Sequence, residues 1–193
     1  MTNEEAFVKY LEIYNFAEIE KEIVDIIDVE ELKKTPANPI LDSGLAYEGS
    51  LMFHIIMVWH FGKKLSAIYE NIAPINLKDL AKVIVLHQLG KVGMFIKNED
   101  KWQVSKLGKV YNFTERDFCL KTGELSKMLC GNGGISFTPH QYEAMTIIDK
   151  TPEEYENMTK FRTHLSTILK MANDMAYTVA RERYKKNLET QTV

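Results

Sequence analysis

His54, His87, the Gln88 that follows it and Lys91 are the residues whose types could do chemistry together. Neutral imidazoles donate nitrogen lone pairs to divalent cations, and a bound cation can activate water and neutralise a phosphoryl group in its transition state. Such a shell is normally completed by anionic oxygens. Here the oxygen on offer beside His87 is that of Gln88, an amide, which carries no charge and binds transition metals poorly. Lys91 adds a cation that can attract an anion or simply interact with a helix end.

These residues need elements that bring them together. From Gly49 to Phe61 the chain is apolar nearly all round, the pattern of a helix surrounded by protein, and His54 lies within it. Asn76 can cap a second such helix, with Leu77, Leu80, Val83, Ile84, Leu86 and Leu89 on it and Gly90 as its stop. Two neighbouring buried helices therefore carry one histidine each. A long terminal helix is expected from Phe161 to Lys186, with Phe161, Leu165, Ile168, Leu169, Ala172, Ala176 and Val179 forming its buried stripe. At about 100° per residue, Asn173 flanks the centre of that stripe and Asp174 points nearly opposite.

The remainder reads as scaffold. Phe7, Leu11 and Tyr14 mark a first helix over 4–14, and Asn15 with Glu18 resembles a capping box opening a second one through Ile19, Ile23, Ile26 and Ile27. Thr35-Pro36-Ala37-Asn38-Pro39 breaks the pattern, and a loop follows to about Gly49. Residues 92–96 and 102–104 around a 97–101 turn suggest a small peripheral β-hairpin, which 109–113 can extend. A helix over 115–130 ends at Gly131-Asn132-Gly133-Gly134, a cluster without the strand and lysine of a phosphate-binding loop. Thr138-Pro139-His140-Gln141 and Thr151-Pro152-Glu153-Glu154 open two more helices. His60, His140 and His164 have no ligand spacing and read as surface or cap residues, and Arg181 to Lys186 reads as a solvated helix end.

Composition bounds the rest. With 193 residues, 45% of them hydrophobic, the chain suits a single domain over 1–193. A net charge of −3 gives no basic footprint for nucleic acid, while leaving room for a local patch. Cys119 and Cys130, eleven residues apart on one expected helix, are too distant to bridge and are expected to be reduced thiols. The start Met1-Thr2-Asn3-Glu4-Glu5 is no signal sequence and no apolar run reaches about 18 residues, so the chain reads as cytoplasmic, in a bacterium or a virus-infected cell, or in a viral particle, with no membrane partner.

Ala46-Tyr47-Glu48-Gly49-Ser50-Leu51-Met52-Phe53-His54 followed by His87-Gln88-Leu89-Gly90-Lys91 resembles the HD-domain superfamily of metal-dependent phosphohydrolases, especially its small bacterial and phage members. The likeness runs from about Ala46 to Tyr184, leaving 1–35 outside it, and includes Trp102, Tyr111-Asn112-Phe113, Thr122-Gly123-Glu124-Leu125-Ser126, Phe137 to Met145 and Ala172-Asn173 in matching order. It implies a mostly α, HD-like helical bundle in which separate elements deliver metal ligands to one cleft. His54 and His87 match the first two ligands. Gln88 stands in place of the eponymous aspartate, Asn173 in place of the last one, and Thr122 and Ile148 where many relatives have further histidines.

These departures imply a degenerate site of His54, His87, Gln88, Lys91 and Asn173, and a protein that acts as a binding or structural module toward a protein partner, a second copy or a nucleotide-like ligand. The alternative is an active phosphohydrolase on nucleotides or other phosphate esters, with one divalent metal (Mn, Mg, Co, Ni or Fe) on His54 and His87. The apolar N-terminal helices, residues 4–34, are where an assembly interface would be sought.

Overall fold

Thr2 starts the first helix. Its hydroxyl accepts the Glu5 amide at 3.2 Å while the Glu5 carboxylate accepts the Thr2 amide at 2.8 Å, a reciprocal cap that opens α1 (Asn3–Phe16). The computed structural model describes residues 1–157 and 162–191. Ala6, Tyr10, Ile13 and Tyr14 face inward along α1, and the Tyr10 hydroxyl donates to the Val85 carbonyl at 3.2 Å. The N-terminal segment thus belongs to the same core as the rest, so removing it would expose that core as well as any interface.

The second helix expected at Asn15 does not form. α1 runs through Asn15, Glu18 turns the chain with a φ of 52°, and a single 3-10 turn at Ile23–Asp25 leads to the short α2 (Val29–Lys34). Asp28 supplies the cap instead, accepting the amides of Glu30 and Glu31. Ile23, Ile26 and Ile27 are buried all the same, so the apolar periodicity reported burial correctly and the conformation wrongly.

α3 (Ser50–Tyr69) begins at Gly49, whose φ of 80° favours glycine and where a Cβ would lie 2.5 Å from the Asn3 side-chain oxygen. It is longer than its apolar run, because Leu65 and Ser66 continue its buried side. α4 (Leu77–Leu86) is capped by Asn76 as expected, but it stops at Leu86, with His87 as its C-cap and a 3-10 turn at Leu89–Lys91. The tight approach of Gly90 to the next layer accompanies this early exit: a Cβ there would sit 2.3 Å from the Thr122 carbonyl oxygen and 3.0 Å from Leu125. Gly90→Ala is therefore expected to destabilise the protein by about 2–3 kcal/mol, as other overpacked core positions do, measurable as a lower urea midpoint at unchanged slope.

The hairpin is real but differently built. β1 (Phe95–Lys97) pairs antiparallel with β2 (Tyr111–Phe113), and the segment expected to form its second strand is a helix, α5 (Lys101–Leu107), capped by Asp100. Asn98 holds the excursion closed through the Lys109 carbonyl (2.8 Å), the Asp100 amide and the Asn112 side chain. Residues 115–121 are not helical. α6 (Thr122–Asn132) starts later than expected, where the Glu124 carboxylate caps the Lys121 amide at 2.8 Å, and it ends at the glycine cluster. Cys119 is consequently exposed outside the helix while Cys130 is buried on it, and both are free thiols.

α7 (Pro139–Ile147) and α8 (Pro152–Asn157) begin at the Thr-Pro signals read from the sequence. α9 (His164–Gln191) packs along α3 and α7 through Leu165, Ile168, Leu169, Ala172 and Ala176. Phe161, its expected first residue, lies outside the described residues. The protein is thus mostly helical with one small two-stranded sheet, and among the described residues no helix is long and apolar enough to cross a membrane.

Candidate functional site

α3 delivers His54, the end of α4 delivers His87 and Gln88, and α9 delivers Asn173; all four side chains meet in the interior. His54 and His87 are fully buried, and Gln88 and Asn173 are 3% and 7% exposed. Asp174 points outward and pairs with Lys170, as the helical wheel requires, so the residue facing the histidines is the asparagine.

The contacts form a triangle. His54 Nε2 lies 2.9 Å from Asn173 Oδ1 and 3.1 Å from Gln88 Nε2, and Gln88 Nε2 lies 2.9 Å from Asn173 Oδ1. Each corner atom is wholly donor or wholly acceptor for any tautomer or amide orientation. A three-membered ring cannot alternate the two, so one edge is always a contact between like groups. With Asn173 Oδ1 accepting from both nitrogens, the unmade edge is the longest one, between His54 and Gln88. His87 is fixed more simply, since its Nδ1–H donates to the Ile84 carbonyl at 2.7 Å. His54 Nδ1, His87 Nε2 and Gln88 Oε1 have no hydrogen-bond partner among the described residues.

Edges of 2.9–3.1 Å are hydrogen-bond distances, and the Gln88 corner is an amide NH2 with no lone pair for a metal. Charge is also unfavourable to a cation. Burial holds the His54 imidazole well below its usual pKa, and the Lys91 ammonium lowers it further. His87 is pushed down to about 4, again chiefly by burial, with the Lys91 charge acting in the same direction and the Ile84 hydrogen bond opposing it. No carboxylate is present to offset a dication's loss of hydration, and the Lys91 ammonium would repel it. Among the described residues no group of three or more His, Cys, Asp or Glu could hold a metal ion.

Lys91 lies beside this cluster. Its ammonium donates to the Ala37 carbonyl at 2.6 Å and to the Tyr177 hydroxyl at 2.8 Å, tying the loop before α3 to α9. Tyr177, one turn beyond Asn173, also packs its ring 4.2 Å from that of His54. The sequence reading missed it, although the four-residue step from Asn173 is the signal that would have found it. Ser126 was missed too: its hydroxyl accepts the Gly90 amide at 2.8 Å and lies 3.0 Å from the His87 carbonyl, docking α6 onto the turn that presents His87 and Gln88.

Thr122 and Ile148 lie outside the cluster. Thr122 borders a groove of about 530 Å³ between β2 and α6, whose walls include none of the four cluster residues, and Ile148 packs on the core. His60, His140 and His164 are exposed, as expected. The chain matches no protein-family model, no curated protein and no solved structure.

Proposed function

We propose that this chain is a degenerate HD-fold protein in which the former metal site has become a neutral polar core, and that it acts as a binding or structural module. One observation carries the reading: two imidazoles and two amides converge, nearly or fully buried, with no carboxylate among them. A phosphohydrolase needs its water and phosphate ester to reach the metal ligands, and here the four side chains are closed off from solvent, with His54 Nε2, Gln88 Nε2 and Asn173 Oδ1 turned toward one another. The cluster ties α3, the α4 exit and α9 together, which are the elements the HD arrangement would use to present a metal.

The second reading, a metal-dependent phosphohydrolase, is favoured by the two neutral imidazoles, His54 and His87, brought into one buried cluster. It requires a dication to enter among neutral donors beside Lys91. A panel of nucleotides and phosphate esters with Mn²⁺, Mg²⁺, Co²⁺ and Ni²⁺ separates the two. The module reading predicts no turnover above that of a His54→Gln, His87→Gln variant; metal-dependent turnover lost in that variant would establish the enzyme.

A further inference from the structure

We propose that the groove between β2 and α6, together with the hairpin face that runs into it, binds single-stranded nucleic acid. The stretch from residue 94 to 121 is unlike the rest of the chain, since Asn98 is its only buried residue. Its aromatic rings are left in the open: Trp102 and Phe113 are each 61% exposed and Phe118 is 46% exposed. Single apolar side chains such as Ile68 and Ile72 are exposed elsewhere too, but here three aromatic rings are exposed within one short stretch.

The strand register gives Phe113 its neighbours. Phe95 pairs with Phe113 and Lys97 with Tyr111, so one face of the ribbon shows two neighbouring rings, 5.3 Å apart, beside a lysine and a tyrosine. Phe113 is also a wall of the 530 Å³ groove, where Phe118, Arg116, Lys121 and the hydroxyl-bearing Thr114 and Thr122 continue the surface. The Arg116 guanidinium lies 5.6 Å from the centre of the Phe118 ring. Flat rings interleaved with cations are what a single strand requires, because every base offers a face for stacking and every linkage a negative charge.

Charge selects the partner. Residues 94–121 hold Lys97, Lys101, Lys106, Lys109, Arg116 and Lys121 against Glu99, Asp100, Glu115 and Asp117, a net +2 within a chain of net −3. Among the described residues, only Lys121 of these cations forms an ion pair, with Glu154 at 3.6 Å. Asp100 is engaged in capping α5, and Asp149, the carboxylate in the groove, accepts the Gly123 amide at the start of α6. The other five cations are therefore available to an anionic ligand, and the alternation of rings with charges and hydroxyls fits bases and phosphates better than an acyl chain.

Fluorescence anisotropy of a labelled dT20 strand with the full chain tests this. Saturable binding in 50 mM salt is expected, weakening roughly ten- to forty-fold at 300 mM as about two to three phosphate contacts are screened. A Phe113→Ala, Phe118→Ala variant should stay folded, with its thermal midpoint lowered only slightly by loss of the Phe95–Phe113 contact, and bind at least ten-fold more weakly, and Arg116→Gln should flatten the salt dependence. Absence of saturable binding at 50 mM salt, equal affinity for a duplex of the same length, or unaltered affinity in the double variant would each overturn the proposal. Binding to phosphatidylglycerol vesicles without binding to dT20 would overturn it in favour of a lipid surface.

Discussion

Replacing Gln88 and Asn173 together by aspartate is expected to turn a metal-indifferent protein into one whose stability depends on a divalent cation. Gln88 Nε2 and Asn173 Oδ1 are 2.9 Å apart beside fully buried imidazoles, so two carboxylates in their place would repel each other without water to screen them. In chelator the double variant should lose about 3–5 kcal/mol, or keep one carboxyl protonated, as buried charges without partners do. Added Mn²⁺ should reverse the loss, since each cation bound to the folded state alone stabilises it; at a thousand times the dissociation constant the gain is about 4 kcal/mol. Thermal denaturation with and without 1 mM MnCl₂ measures both arms. A double variant as stable as the parent in chelator and unaffected by Mn²⁺ would mean that these two positions do not share one buried site.

Acid should open the same core. Both histidines are neutral in the fold and have their pKa depressed, to about 4 for His87, whereas in the unfolded chain they titrate near the ordinary value of about 6.5. Between those values the unfolded state binds protons that the folded state refuses, so stability is complete above pH 6.5 and falls as the pH drops toward 4. His87 alone accounts for about 2 kcal/mol by pH 5, and His54 adds in the same direction. Urea unfolding at pH 7.5 and 5.0 should show this fall, and a His87→Gln variant should lose that share of it. Equal stability at the two pH values in the parent protein would contradict the burial of neutral imidazoles.

The candidate site was legible largely because its residues lie on strongly patterned helices. The apolar runs around His54 and before His87 marked buried elements, and the stripe of α9 was regular enough to choose Asn173 over its neighbour Asp174. Legibility failed where local capping competed. Asn15 with Glu18 had the form of a helix start, but Asp28 caps the helix that forms, and Tyr14 draws the intervening chain inward by donating its hydroxyl to the Lys21 carbonyl. In the hairpin, Asp100 accepting the Trp102 and Gln103 amides outweighed the strand preference of residues 102–104. Tyr177 was within reach of the four-residue step from Asn173, whereas the role of Ser126 depends on how α6 docks against the turn at Gly90, which no spacing along the chain encodes.

Calorimetric titration of the unmodified protein, purified without chelator, with MnCl₂ at pH 7.5 tests the neutral-core account most directly. That account predicts no saturable heat and no shift in thermal midpoint, because two neutral imidazoles and two amides beside Lys91 offer no negative charge to receive a dication. One equivalent of Mn²⁺ bound per chain, lost in the His54→Gln, His87→Gln variant, would contradict it.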